Sequence, residues 1–577
     1  MSPRNSVWLV PLLVCASLQS QTSTSKSNQK VPTFQSKVRV VLVDVLVSTT
    51  KGEPVSGLRK DDFRVFEDGK PQTVTSFEEH KGGGPVVQTK LPLMPPNVWT
   101  NYPTINPPDS VNVLLLDWLN TQPQDQAFVH TQAVQYLKQV SPATRIAIFT
   151  LGTQLRMVHG FTDDLSGLVS AFDGNKTART QVSPLMPTTV EKATEQKLIA
   201  LMEMNRAAPS TIEAVKQEME ATSASNTGVR MTVTLKALQE LARYLSPIPG
   251  RKNVIWIAGS FPVNIFPASN MLREFQGDIR QTAEMLTPSR VAIYPVSAEG
   301  PLSDATYYAE DEPGPPGEMK VRQSRTLAEE NERRAANQIA MEELANDTGG
   351  QAFYDTNGLA AAMASIVDNG ARYYTLTYTP TNKNTDGRYR SIHVKLHDGK
   401  YRLAHRPGYY AEDARIRESL TGDRLLPLLG FGLPDFSEIL YKTRVLALDP
   451  QPANGARAGS NTELKGQVHR YGVDFAISLD DLTIEKTPNG PGNARVEIML
   501  VAYDREGHPL NLKAEKADIH LTPKVYEDAR RVGLQLHLEI DVPQVNSFLR
   551  TGVFDLNSGK AGTLGIPLNS VTVATLH

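Results

Sequence analysis

The chain has 577 residues, of which 40% are hydrophobic and 21% charged, and its formal net charge is -2. This length exceeds what one hydrophobic core organises, so we expect several domains. The near balance of charge argues against a nucleic-acid partner, because such proteins usually carry a basic excess or stripe. Beyond the N-terminal segment, no apolar run reaches the ~20 residues that cross a bilayer, so we expect no transmembrane segment there.

The first 20 residues have the pattern of a signal peptide. Arg4 precedes a short apolar run at residues 7–14, and small and polar residues follow. The run is too short to span a membrane, so we predict that residues 1–20 are removed on export. The protein would then be periplasmic, on the cell surface or secreted. Cys15, the only cysteine, is either lipidated or lost with the signal; Val14 stands where a lipidation signal carries a small residue, which favours loss.

A small β module is predicted at residues 33–80. Residues 38–47 are dense in β-branched side chains, and Asp68-Gly69 between two alternating apolar runs is typical of a hairpin. The Gly- and Pro-rich stretch 81–110 is predicted to be a linker. Because the module has too few strands to be stable alone, we expect it to pair with residues 372–411. The domain between them would then be an insertion.

Residues 111–371 alternate between strand and helix patterns. Apolar runs at 111–116, 145–150, 253–257 and 291–294 are separated by helical segments. This alternation predicts an α/β fold with a doubly wound, mostly parallel sheet, flanked by β-sandwich modules. Amphipathic patterns within residues 173–230 predict a helical insertion, after which Thr232 is expected to cap a new helix.

The chain becomes β-rich again after this domain. Residues 372–411 predict a β meander, which is the expected partner of the N-terminal module. Residues 424–577 contain several alternating strands separated by turn signals, which favours a C-terminal β-sandwich.

Seven segments carry a family resemblance. They are Val43-Asp-Val-Leu-Val47, Leu58-Arg-Lys-Asp-Asp-Phe63, Val65-Phe-Glu-Asp-Gly69, Leu114-Leu-Leu-Asp-Trp-Leu-Asn-Thr121, residues 238–244, Ile248-Pro-Gly-Arg-Lys-Asn253 and Arg406-Pro-Gly-Tyr409. Taken in this order, they resemble the VWFA-related acidobacterial-type proteins, an exported bacterial family with a von Willebrand factor A-like domain. The resemblance implies a fold and a compartment more than a biochemical function.

Such domains often carry a metal-ion-dependent adhesion site, with an Asp-x-Ser-x-Ser run after the first strand. In this sequence Asp117 matches the carboxylate, Leu119 replaces the first serine and Thr121 replaces the second. Thr232 or Thr234 could supply the second-loop threonine. The carboxylate expected after the fourth strand is missing, and residues 257–260 end in Ser260 instead.

This eroded pattern predicts a degenerate site. Asp117 and Thr121 would be the metal ligands, with Asn120 and Thr232 orienting water or partner groups. Since Mg²⁺ prefers about six oxygen ligands, we expect weak binding of Mg²⁺ or Ca²⁺, or none, and no other cofactor. The alternative is that Asp117 and Thr121 cap the following helix and satisfy loop amides.

The sequence carries no nucleophile elbow, phosphate-binding loop, dinucleotide fingerprint or zinc-hydrolase motif. We therefore expect a non-enzymatic protein, with a protein-binding or adhesion-like role and an unknown protein partner. One alternative is an exported hydrolase whose two carboxylates lie ~5–9.5 Å apart without a recognisable motif. Another is a structural component of the cell envelope.

Overall fold

The computed structural model describes residues 40–82, 94–103, 110–140, 144–162, 164–174, 185, 189–261, 276–299, 316–354, 358–384, 386–397, 399–411, 425–448, 457–461, 464, 468–487, 490–543 and 547–572. All of them belong to one compact unit that starts at Val40. The predicted signal peptide, Cys15 and parts of the predicted linker and helical insertion lie outside the described residues.

The described chain forms the following strands: β1 Val41–Ser48, β2 Phe63–Glu67, β3 Lys70–Gln72, β4 Val74–His80, β5 Val98–Thr100, β6 Ser110–Asp117, β7 Ile146–Leu151, β8 Leu155–Thr162, β9 Arg251–Ala258, β10 Val291–Ser297, β11 Tyr373–Tyr378, β12 Tyr389–Leu396, β13 Arg402–Ala404, β14 Gly408–Tyr410, β15 Tyr441–Ala447, β16 Val468–Ile477, β17 Glu485–Thr487, β18 Gly490–Tyr503, β19 Pro509–Leu521, β20 Leu534–Pro543, β21 Phe548–Asp555 and β22 Ala561–Pro567. Its helices are α1 Pro123–Gln139, α2 Leu165–Gly174, α3 Thr189–Met204, α4 Pro209–Leu245, α5 Gln276–Leu286, α6 Pro316–Thr348, α7 Leu359–Gly370 and α8 Pro523–Val532.

The central sheet has five strands in the order β10-β9-β6-β7-β8. Strands β10, β9, β6 and β7 are parallel, whereas β8 pairs with β7 as an antiparallel hairpin at the edge. Residues on both faces of these parallel strands are buried, which is why the strands read as continuous apolar runs in the sequence.

Helices cover both faces of this sheet. Val113 and Leu115 of β6 pack in one core with apolar residues of α4, α5 and α6. The alternate residues Leu114 and Leu116 pack in a second core with residues of α1, α2 and α7. This alternation follows from the two-residue period of a strand, which sends neighbouring side chains to opposite faces.

An antiparallel sandwich combines strands from both ends of the first two-thirds of the chain. One sheet has the order β13-β1-β11-β4 and the other the order β14-β12-β2-β3. Strands β1 and β4 both pair with β11, and β2 pairs with β12, so residues 41–80 and 373–410 share both sheets and one core. We call this unit the N-terminal sandwich.

A second antiparallel sandwich, the C-terminal sandwich, lies beyond residue 425. Its sheets have the orders β20-β16-β15-β5 and β17-β18-β21-β22, with β19 also pairing with β18. The protein as a whole is therefore a mixed α/β chain in which most sheets are antiparallel.

Strand β5 corrects the prediction of a linker at residues 81–110. It pairs with β15, and the side chain of Asn101 donates to the carbonyls of Phe436 and Ile439 at 2.8 Å each. Trp99 packs against the core of the C-terminal sandwich. A three-residue strand among prolines has no periodic signal, so its tertiary contacts determine its structure.

The predicted helical insertion also differs in its boundary. Helix α4 runs unbroken for 37 residues, from Pro209 within the predicted insertion to Leu245 in the central core. Met231 is its first buried residue. Gly228 lies in the middle of this helix, where a glycine costs only ~1 kcal/mol relative to alanine, so it does not end the helix.

A buried carboxylate links three strands of the N-terminal sandwich and gives a first test. Glu67 accepts hydrogen bonds from the hydroxyls of Tyr378 (2.7 Å) and Tyr409 (3.0 Å). We expect Tyr378→Phe to lower the free energy of unfolding by about 1.5–3 kcal/mol, because it removes a hydrogen bond to a charged, buried group. Scanning calorimetry measures this change. Tyr401→Phe, at a partly buried ring beside the same core, should change it by less than ~0.5 kcal/mol; equal effects of the two variants would contradict this account.

Candidate functional site

The candidate site lies where the strand order of the central sheet reverses. Strand β6 is flanked by β7 on one side and by β9 on the other, although β7 and β9 are separated in sequence by α2, α3 and α4. Ligands of open α/β sheets bind at such points, outside the carboxyl ends of the strands. Asp117 is the last residue of β6, and Gly259 and Ser260 follow β9.

The Asp117 carboxylate is fully buried and already has three donors. It accepts from the backbone N–H of Asn120 (2.9 Å), from Asn120 Nδ2 (2.8 Å) and from Trp256 Nε1 (2.9 Å). Burial raises the pKa of Asp117 to about 6, and the hydrogen bonds from Asn120 and Trp256 limit the rise. The carboxylate therefore faces uncharged N–H groups in the protein interior.

Asn120 joins this carboxylate to helix α4. Its Nδ2 also donates to Thr234 Oγ1 (3.1 Å), and its Oδ1 accepts from Arg230 Nη1 (3.3 Å). Burial lowers the pKa of Arg230, while the charge of Asp117 opposes that shift. Arg230 thus supplies the positive charge of the site, and Asn120 lies between it and Asp117.

Thr121 and Ser260 hold the two loops together. Thr121 Oγ1 accepts from the N–H of Gly259 (3.0 Å), and Ser260 Oγ donates to the carbonyl of Asn120 (3.4 Å). A Cβ at Gly259 would lie 3.2 Å from that carbonyl oxygen, so a side chain there would push the loops apart. The close approach of the two loops explains a glycine where the adhesion-site pattern has a carboxylate.

Two sequence-based expectations about this region need correction. Thr232 is an exposed residue inside α4 and donates to the carbonyl of Gly228 (3.1 Å), so it neither starts a helix nor faces Asp117. Helix α1 begins at Pro123 after Gln122, without a side-chain cap. The helix-capping part of the alternative is therefore wrong, whereas Asp117 and Thr121 do satisfy loop amides, those of Asn120 and Gly259.

Sequence reasoning missed three residues that complete the site. Trp256 lies inside an apolar strand and resembles a core residue. Gln126 donates to the carbonyl of Thr121 (2.9 Å) and closes the loop from the first turn of α1. Arg230 could have been found from helix periodicity, because it precedes Thr234 by four residues and the two therefore share a helix face.

The donor set does not suit a divalent cation. Mg²⁺ and Ca²⁺ need oxygen ligands with free lone pairs, whereas Asp117 already accepts three hydrogen bonds and Thr121 accepts one. Arg230 adds a competing positive charge. Within the described ranges, no group of three or more His, Cys, Asp or Glu residues could hold a metal ion.

No protein-family model and no curated protein matches the sequence. Among solved structures, conserved hypothetical protein BatB from Bacteroides thetaiotaomicron is 10% identical, covers 45% of this chain and 98% of its own, and has a TM-score of 0.22. A von Willebrand factor type A protein from Catenulispora acidiphila is 9% identical, and the match covers 61% of this chain and 77% of that protein, with a TM-score of 0.24. The pilus adhesin SpaC from Lactobacillus rhamnosus GG is 9% identical, and the match covers 86% of this chain and 59% of the adhesin, with a TM-score of 0.23.

TM-scores this low do not establish a shared fold, so the assignments below rest on the contacts of this chain. The resemblance to the acidobacterial-type family has no matching family model behind it and stays a prediction. Among the described residues, no helix combines the length and apolarity needed to cross a membrane.

The raised pKa of Asp117 gives a second test. A carboxyl whose folded pKa exceeds its unfolded value of ~3.9 contributes stability that is complete below pH ~4 and is lost as the pH rises through about 6. Since Trp256 donates to this carboxylate, its fluorescence should change with a midpoint near pH 6. The change should disappear in Asp117→Asn and persist in Trp99→Phe. If Asp117→Asn shows the same fluorescence transition with the same midpoint pH, then another group causes the transition.

Calorimetric titration of the full chain with Mg²⁺ and with Ca²⁺ is a third test. We expect no binding of sub-millimolar affinity, because the ligand oxygens of the site are already hydrogen-bonded. Sub-millimolar affinity that is lost in Asp117→Ala would show that the loops open to form a working metal site.

Proposed function

We propose that this is an exported, non-enzymatic binding protein of the von Willebrand factor A-like class that recognises an acidic group on a protein partner without a metal ion. The observation that carries the proposal is the place of Arg230. Its guanidinium lies beside Asp117 and Asn120 at the carboxyl edge of the central sheet, where a metal ion would supply the positive charge in an intact adhesion site.

Arg230 keeps donor capacity for a ligand at its two terminal nitrogens. Nη1 and Nη2 each donate one long hydrogen bond of 3.3 Å, to Asn120 and Thr227, whereas the buried Nε has no hydrogen-bond partner within the described part of the chain. A guanidinium presents its N–H groups in a planar fork that matches a carboxylate. A partner Asp or Glu side chain is therefore the group that best fits this site.

The topology supports the proposed class. Counted from β6, the sheet contains the third, second, first, fourth and fifth strands in that order, as in doubly wound sheets whose ligands bind between the first and the fourth strand. The antiparallel β8 occupies the edge. The site of Arg230 and Asp117 coincides with this switch point.

Helix α4 continues from the site into a helical hairpin that exposes apolar surface. Helix α3 pairs with the first half of α4, and Leu198, Leu201 and Met204 of α3 are 45%, 50% and 72% exposed. Their three-residue spacing places them on one side of the helix. An acid-binding arginine on the same hairpin as exposed apolar side chains favours an extended protein partner over a small molecule.

Export and the absence of catalysis remain parts of the proposal. Export rests on the sequence pattern of residues 1–20. A binding role rests on the site itself, because its carboxylate is buried and accepts three hydrogen bonds, which leaves it inaccessible to a substrate. Turnover of glycoside, ester or peptide substrates that is lost in a carboxylate variant would favour the hydrolase alternative.

Capture from the envelope fraction of the producing cells tests the proposal. The bait is the full chain, as wild type, as Arg230→Gln and as Arg206→Gln; Arg206 is exposed in the turn between α3 and α4 and provides an identical charge change. We expect wild type and Arg206→Gln to retain the same protein, with or without EDTA. Arg230→Gln should retain at least about tenfold less, a loss of ~1.4 kcal/mol or more.

Three outcomes would contradict the proposal. Equal capture by Arg230→Gln would exclude Arg230 as the recognition group. Loss of capture in EDTA would restore a metal-dependent mechanism, and self-assembly as the sole product would favour a structural role. Circular dichroism and the thermal midpoint of Arg230→Gln should match wild type, so that lost capture is not lost folding.

A further inference from the structure

A small cleft lies at the junction of the N-terminal sandwich and the central sheet, on residues that the proposed binding site does not use. Its volume is about 30 Å³, enough for one or two water-sized species. Its polar lining comes from both units: Asp44 of β1, Arg251 of β9, Arg290 before β10, Asp347 and Thr348 at the end of α6, and Arg406 before β14.

One of the three arginines is neutralised by an aspartate. Arg290 donates to Asp44 through Nε (2.9 Å) and Nη2 (2.6 Å), and Thr375 Oγ1 donates to the same carboxylate (2.9 Å). Burial alone would raise the pKa of Asp44, but the bonds from Arg290 hold it below its usual value. Most of the charge of Asp44 is therefore compensated within this pair, although it also attracts Arg251 and Arg406 without forming a salt bridge to them.

The other two arginines donate to uncharged groups. Arg251 Nη2 donates to the carbonyl of Gly349 (2.6 Å), and its remaining bonds go to neutral side chains. Arg406 donates to the carbonyls of Thr287 (3.2 Å) and Leu42 (2.7 Å). Within the described ranges, neither guanidinium forms a salt bridge, and the buried Nε of Arg406 has no hydrogen-bond partner.

Lys252 adds to the positive surroundings. It is 2% exposed and follows Arg251 in β9. Burial, and then the charge of Arg290, lower the pKa of its ammonium to about 7, while Asp44 acts in the opposite direction. Burial is the main cause of this shift, and repulsion between buried cations, here from Arg290, adds to it.

We infer that the cleft binds one small monovalent inorganic anion of about the size of chloride, held by Arg406 from the sandwich and Arg251 from the central sheet. The anion compensates two guanidinium charges that form no ion pair within the described ranges. The small water-accessible space favours a small anion, and Asp347 in the wall disfavours more than one negative charge. The ligand therefore ties the two units together across their junction.

Chloride-35 NMR of the full chain tests this inference. A site in exchange with free chloride broadens the chloride line, and bromide should reverse the broadening by competition. We expect Arg406→Met to reduce the excess line width at least about fivefold. Arg402→Met, the same change at an exposed residue of the same sandwich, should leave it unchanged.

Unchanged broadening in Arg406→Met would overturn the inference, as would an absence of excess broadening in wild type. If Arg406→Met fails to fold, a bromide-soaked crystal of the wild-type protein decides. An anomalous peak in the cleft beside Arg406 supports the inference, whereas a water without anomalous signal contradicts it. Either result leaves the proposed role of Arg230 untouched.

Discussion

The carboxyl edge of the central sheet is organised by one buried carboxylate. An ionised Asp117 in the interior is costly unless donors surround it, and the chain supplies them from the loop after β6 and from Trp256 in β9. The side-chain amide of Asn120 can donate to Asp117 in only one orientation. This orientation also fixes its contacts with Thr234 and Arg230. The position of α4 at this edge therefore depends on the same hydrogen bonds.

The three units are interlocked by the path of the chain. The N-terminal sandwich is completed only after the chain has passed through the central unit and returned at β11. Before it enters β6, the chain adds β5 to the C-terminal sandwich. Arg243 of α4 binds Glu438 at 2.9 Å and reinforces that second junction. Each sandwich thus needs contacts between residues that are hundreds of positions apart, which slows folding of such topologies.

The sequence predicts those elements whose structure is determined by a local pattern of residues. Continuous apolar runs predict the buried parallel strands, and the small number of strands at residues 33–80 predicts that they need partners elsewhere. Strand β5 and the unbroken α4 depend on tertiary contacts, because neither a three-residue strand nor a helix across Gly228 has a distinctive pattern. In the candidate site, Asp117 and Thr121 follow from the motif. Trp256 does not, since a tryptophan in an apolar strand predicts only packing.

The continuity of α4 connects the proposed recognition site to the core. Its first 20 residues lie outside the core, a length of about 30 Å at the rise of an α-helix. Its last third packs on the sheet through Leu235, Leu238 and Leu241. Arg230 lies at the boundary between these two parts. Because α4 carries Arg230 and forms one arm of the exposed hairpin, a partner bound along the hairpin, as we propose, would meet Arg230 at a fixed distance.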